Sequence, residues 1–158
     1  MNKIVEVAIS QLGYSENPPN SNLTKYGEWF GLNGVPWCAI FVSWVYHQAG
    51  YPLGNIGSPK GMAGCQYAVD YFIKSRSLVT EPIPGDLVFF DWNDDGRYDH
   101  VGIFEGWGDS DSFITIEGNT SMKNDSNGGS VMRRIRYSIV KYIFVRPPVL
   151  NISQPSLF

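Results

Sequence analysis

At 158 residues, with 43% apolar and 17% charged side chains, the chain has the composition of one soluble globular domain, and two domains would each be unusually small. A formal net charge of -3, with no basic stripe beyond the short run Arg133, Arg134, Arg136, excludes nucleic acid as an expected partner. No apolar run of about eighteen residues is present, so no membrane insertion is expected, and the start MNKIVEVAISQLG lacks the apolar block and cleavage site of a signal peptide.

Ile4, Val5, Ala8, Ile9 and Leu12 recur at helical spacing and Gly13 follows, which predicts a first amphipathic helix over 3–12. Residues 14–22 (YSENPPNSN) read as a loop, and an aromatic stretch with Tyr26, Trp29 and Phe30 follows it. In GLNGVPWCAIFVSWVYHQAG, turn residues lead into an apolar run that closes at Gly50, the pattern of a buried helix starting near Cys38. After a second loop, Cys65, Val69, Phe72 and Ile73 share one face of a shorter helix. From Pro82 onward the segments DLVFFD, HVGIFEGW, FITIEGNT, VMRRIRYS and KYIFVRP are short, β-branched or aromatic, and separated by turns, which predicts an antiparallel sheet. Helices first and strands afterwards give an α+β class with the helices packed on one side of the sheet. The tail from Pro147 carries no periodicity and is expected to be extended or frayed.

Two cysteines cannot staple a disulfide scaffold, so each is either a thiol with a task or buried filler. A helix N-terminus favours the thiolate through its unpaired N–H groups and its dipole, and Cys38 stands at such a position. Cys65 shares its face with Val69, Phe72 and Ile73 and reads as core, although spacing alone leaves a Cys38–Cys65 disulfide open. A cysteine nucleophile needs a base, and the chain has two histidines. His47 lies nine residues after Cys38 on the same helix, pointing away and about 13 Å farther along the axis. His100 opens a strand after a loop, where its ring can lean over the helix start, so it is the candidate base. Glu117 and Asn119 sit two apart on the next strand, which places them on one side, and either could fix the tautomer of the ring.

A zinc site built from both cysteines and both histidines would use the same atoms, but no CxxC or HxxxH spacing supports it. The segment Asp91, Asn93, Asp95, Arg97, Asp99, with Gly96 at the sharp turn, copies the first half of an EF-hand calcium loop. Its twelfth position is Gly102 instead of a bidentate Glu, and a solvated Asx-rich turn is the competing reading. A calcium ion bound there, through the Arg97 carbonyl and the four side chains, would stiffen the loop that delivers His100. With nine Tyr, nine Phe and five Trp, some aromatics are expected to line a groove, and Tyr26, Trp29, Trp37 and Trp92 are the candidates, with core packing as the alternative for each.

The segments PWCAIFVSWVY, PGDLVFFDW, DHVGIFEG and IEGNTS together resemble the CHAP domain, the cysteine, histidine-dependent amidohydrolase/peptidase family of the papain-like NlpC/P60 superfamily. The likeness runs from the first helix to about Arg146, and Trp-Cys-Ala without a third histidine is closer to CHAP than to the NlpC/P60 peptidases. The resemblance implies a catalytic domain over 1–147 with a tail over 148–158, with Cys38 as nucleophile, His100 as base, and Glu117 and Asn119 completing the site. It implies a peptidoglycan hydrolase, an N-acetylmuramoyl-L-alanine amidase or endopeptidase of endolysin type, working as a monomer and needing no cofactor for its chemistry. A leaderless endolysin would wait in the host cytoplasm before reaching the wall, and a secreted enzyme whose leader was removed would look the same. A non-catalytic wall-binding module and an amidase acting on a non-wall amide stay open as alternatives.

Overall fold

The structure, a computed structural model, describes residues 2–152. Asn2 opens the first helix, α1 (Lys3–Ser10): its side-chain oxygen accepts from the N–H groups of Ile4 and Val5, at 2.8 and 3.3 Å. The helix stops two residues before the expected Leu12. Gln11 and Leu12 bond instead to carbonyls three residues back, a tightened last turn that Gly13 closes at φ +91°.

A six-residue helix, α2 (Lys25–Phe30), forms from the aromatic stretch, capped by the Thr24 hydroxyl and ended by left-handed Gly31. Six residues are too few for periodicity to mark. The central helix, α3 (Cys38–Gln48), is buried over nearly all of its circumference, which is why its sequence is almost wholly apolar. No side chain caps its N-terminus, so the N–H groups beside Cys38 are not taken by a capping residue. Helix α4 (Cys65–Lys74) completes the helical half.

The strands β1 (Leu78–Val79), β2 (Leu87–Asp91), β3 (His100–Trp107), β4 (Ser112–Thr120), β5 (Ser130–Tyr137) and β6 (Lys141–Val145) form one antiparallel sheet in the order β1-β6-β2-β3-β4-β5. Two-residue β1 is the strand that the sequence pattern does not show. Leu87, Phe89, Val101, Ile103, Ile116 and Val145 face the helices and share their core. The opposite face is not a plain solvated surface: Val88, Phe90, Phe104, Phe113 and Phe144 form a second buried cluster of their own. Aromatic abundance is thus largely consumed by two cores.

Gly118 sets how closely α3 lies on β4. A Cβ there would stand 2.7 Å from Phe41 Cβ and Cγ, so only glycine lets the helix carrying Cys38 settle onto the strand carrying Glu117. The expected tail departs from an extended or frayed end: Pro148–Ile152 forms a short helix, α5, and Val149 and Leu150 pack against the main core, whose apolar surface rewards that burial. Residues 153–158 lie outside the described residues.

Candidate active site

Cys38 at the start of α3 and His100 at the start of β3 meet where the helix lies against the sheet. His100 pairs across the ladder with Phe90, so their side chains leave the same face of the sheet, with ring centroids 6.0 Å apart. Glu117 occupies the same face of β4, and there Gly102 makes room: a Cβ at 102 would lie 2.7 Å from Glu117 Cγ. The residue that fails the calcium-loop pattern is the one that leaves space for this carboxylate.

His100 Nε2 is 2.7 Å from Glu117 Oε1, both side chains being fully buried. Glu117 is held in turn by Arg136, whose Nη2 and Nε donate to its two oxygens at 2.6 and 2.8 Å, and by the Thr115 hydroxyl at 2.6 Å. Arg136 also donates to Asp125 at 2.8 Å and lies over the Trp92 ring, 4.7 Å from its centroid. The nitrogen left for Cys38 is His100 Nδ1, which is buried without a hydrogen-bond partner among the described residues. Ring and thiol are nevertheless near enough to shift each other's pKa, and catalytic hydrogen bonds are often long before substrate arrives.

The electrostatics follow this chain. The Cys65 thiol, then His100 and the Val101 backbone N–H, hold Cys38 well below the ordinary thiol range against the opposing effect of burial. Burial pulls His100 down, but the Glu117 charge and the Cys38 sulfur outweigh it and raise the ring to about 9. Burial pushes Glu117 up, and the Arg136 hydrogen bonds and the His100 charge outweigh that to leave it at about 2. Both shifts favour a thiolate beside an imidazolium, the charge state in which a thiol is most nucleophilic.

The scan against protein families matches the CHAP domain over residues 30–119, more than half of the chain and inclusive of Cys38, His100, Glu117 and Asn119. The chain belongs to the CHAP domain family. A search of curated proteins found no match. Among solved structures, the crystal structure of the wild-type endolysin LysIME-EF1 is similar over 93% of this chain and 65% of that one, with a TM-score of 0.53 and 13% identity. The crystal structure of Ly7917 is similar over 92% of this chain and 62% of that one, with a TM-score of 0.49 and 15% identity. The chain thus spans just under two thirds of each, and the first likeness shows a shared α+β fold.

Within this CHAP domain not every expected site residue converges. Asn119 does not share the side of Glu117, because the β4–β5 register shifts between Glu117 and Thr120 and Asn119 itself takes φ +57°. Its side chain accepts from Gly129 N and donates to Asn127, each at 3.0 Å, and so shapes the 121–129 loop. Glu117 alone of the pair bonds His100.

The groove walls also differ from expectation. A groove of about 470 Å³ opens at Cys38 between Leu32, Val35, Tyr67, Arg97, Tyr98 and Asp99. None of the four expected aromatics lines it. Tyr26 and Trp37 are fully buried and stacked on each other, tied by hydrogen bonds to Gln11 and Glu16. Trp29 packs on His47 and under the Lys60 ammonium, while Trp92 stacks on Phe90 and supports Arg136. Exposed His47 stays apart from the thiols, and among the described residues no group of three or more His, Cys, Asp or Glu is gathered to hold a metal.

At the β2–β3 turn, Asp91 accepts from the N–H groups of Asp95 and Gly96, and Lys141 lies across from Asp91 and Asp94. The Asn93 amide stands 3.2 Å from Asp91 Oδ1 and from Asp95 Oδ1. With its nitrogen inward it bridges the two carboxylates, and with its oxygen inward three oxygens would converge as around a cation. Asp99 lines the groove beside the thiols, and burial together with the nearby Asp91 and Asp95 charges raises its pKa.

Sequence reasoning missed Arg136 and the position of Cys65. Arg136 was legible in principle: a buried strand carboxylate needs a cation, and Arg134 and Arg136 alternate onto one face of the neighbouring strand. Cys65, read as core, places its Sγ 3.8 Å from that of Cys38, a juxtaposition across two helix starts that one-helix periodicity cannot reveal.

Proposed function

We propose that this CHAP domain is a thiol-dependent peptidoglycan hydrolase, cleaving an amide bond in the peptide of the bacterial wall as an amidase or endopeptidase of endolysin type. The observation that carries the reading is the buried chain Cys38, His100, Glu117, Arg136, opening on a groove. In the proposed mechanism the Cys38 thiolate attacks the amide carbonyl carbon, and the Cys38 backbone N–H at the uncapped start of α3 holds the oxyanion. His100 Nδ1–H then protonates the leaving amine as the C–N bond breaks, leaving an acyl thioester. Neutral His100 next takes a proton from water, which attacks the thioester and releases acid and thiolate. Glu117 fixes the ring with its proton-bearing Nδ1 toward sulfur, and Arg136 fixes Glu117.

The test is purified peptidoglycan incubated with wild type and with Cys38→Ala, the released fragments being identified by mass spectrometry. New amino termini or freed lactyl groups appearing with wild type alone support the reading and name the bond. Equal release by Cys38→Ala overturns the nucleophile, and no release from walls of several chemotypes overturns the substrate.

Calcium at the β2–β3 turn is a separate part of the proposal. Asp91, Asn93, Asp95, the Arg97 carbonyl and Asp99 would hold the ion, and it would supply stiffness to the loop that ends at His100. Melting with calcium and with a chelator tests it apart from activity. A rise in Tm with calcium that Asp95→Asn abolishes supports the ion, and equal melting in both conditions removes it.

A further inference from the structure

Cys65 opens α4 as Cys38 opens α3, and the two sulfurs lie 3.8 Å apart with both residues on the wall of the same groove. Both are free thiols, exposed by only 5% and 8%, and both line the groove, through which a small oxidant reaches them. A disulfide needs sulfurs about 2.05 Å apart, an approach of about 1.8 Å that side-chain rotation at two short residues can supply. We propose that Cys65 is the resolving thiol for Cys38, converting peroxide oxidation of the nucleophile into a reversible Cys38–Cys65 disulfide. The inference rests on the reading of Cys38 as a reactive thiolate.

The steps balance without any further reagent. The Cys38 thiolate attacks one oxygen of hydrogen peroxide and the O–O bond breaks. Sulfur is oxidised to the sulfenic acid, and the departing hydroxide takes a proton from His100 to leave as water. Cys65 Sγ then attacks the Cys38 sulfur, the S–S bond forms as the S–O bond breaks, and the Cys65 proton leaves with the oxygen as a second water. One peroxide and two thiols become one disulfide and two waters. A dithiol reverses the change by two exchange steps.

The environment of Cys65 suits this order of events. Its hydrogen bond to Cys38 comes first among the influences that hold its pKa well above the ordinary thiol range, with burial and the Cys38 charge following. Oxidation of Cys38 to a neutral sulfenic acid removes that charge, which lowers the cost of ionising Cys65 when an attacking sulfur is needed. Without Cys65, a sulfenic acid at Cys38 has no thiol within reach and proceeds up the oxidation ladder.

The full chain, treated with graded hydrogen peroxide, digested without reductant and analysed by mass spectrometry, decides the matter. Wild type is expected to yield one Cys38–Cys65 linked peptide, lighter than the two thiol peptides by two hydrogens, and to lose wall lysis until dithiothreitol restores it. Cys65→Ser is expected to accumulate Cys38 carrying two or three added oxygens, with no recovery on reduction. Wild type that gains those oxygens with no linked peptide overturns the proposal. Because the mass readout does not depend on lysis, a linked peptide in a protein inactive before and after treatment would uphold the thiol pair and overturn the hydrolase.

Discussion

Glu117→Gln keeps the length of a side chain and removes one charge from the interior. His100 stands at about 9 against an ordinary 6.5, a rise of about 2.5 that corresponds to about 3 kcal/mol at about 1.36 kcal/mol per unit. Burial opposes that rise and the Glu117 charge is the largest influence in its favour, so with glutamine the ring is expected to titrate well below its wild-type position, with the Cys38 sulfur left as its remaining support. Two histidines make this directly observable by NMR: ring resonances followed against pH, with His47 assigned by its own substitution. The imidazolium fraction at about pH 7.5, nearly all in wild type, should fall, and wall lysis should fall with it. Because Arg136 loses a charged partner, the variant should also lose about 3–5 kcal/mol of stability, so the titration belongs at low temperature with folding checked in the same spectra. A His100 midpoint that remains near 9 in Glu117→Gln would refute the assignment of Glu117 as the group that keeps the ring charged.

The same charges set the pH limits. Glu117 lies at about 2 in the fold against an ordinary 4.5, so its stabilisation, about 3 kcal/mol, is present above 4.5 and lost as pH falls through 2; urea midpoints should decline more steeply over that range in wild type than in Glu117→Gln. Wall lysis should fall on the alkaline side near pH 9, where His100 gives up the proton it must donate, as a pH profile of kcat/KM would register. Trp37→Ala should behave as a core truncation, losing about 3–5 kcal/mol in denaturant melts, and not as a change of KM alone. Gly118→Ala should cost about 1–3 kcal/mol by driving Phe41 and α3 away from β4, and should lower kcat in the fraction that stays folded.

The order of elements was legible because most strands and both long helices have the length and period that sequence patterns resolve. His100 and Cys38 were legible for the same reason, since each stands at the first residue of such an element. Asn119 shows where period two stops being informative: a bulge and a left-handed residue turned its side chain out of the face that alternation assigns. The aromatic residues show a different limit. Tryptophan and tyrosine are amphipathic, and hydrogen bonds to Glu16 and Gln11 satisfy Trp37 and Tyr26 inside the core, so composition could not separate groove from interior. Cys65 and Arg136 depend on contacts between elements distant in sequence, which no local window contains.

A thiolate buried to 5% exposure is costly unless its surroundings compensate, and the compensation here is an alternation of sign. Negative Cys38 meets positive His100, then negative Glu117, positive Arg136 and finally Asp125, which is half exposed to water. Each interior member lies between opposite charges, so no link can be neutralised without leaving its neighbours short of a partner. This accounts for fully buried Glu117 in a domain of modest size, and it ties the Cys38 sulfur to the 121–129 loop through a single guanidinium. Arg136→Lys keeps the charge but not the fork that grips both Glu117 oxygens together with Asp125. It should therefore retain the alkaline limit near pH 9 while lowering kcat by loosening the carboxylate that orients His100. An unchanged kcat would mean that charge alone, and not the fixed geometry of the guanidinium, is what the site requires of position 136.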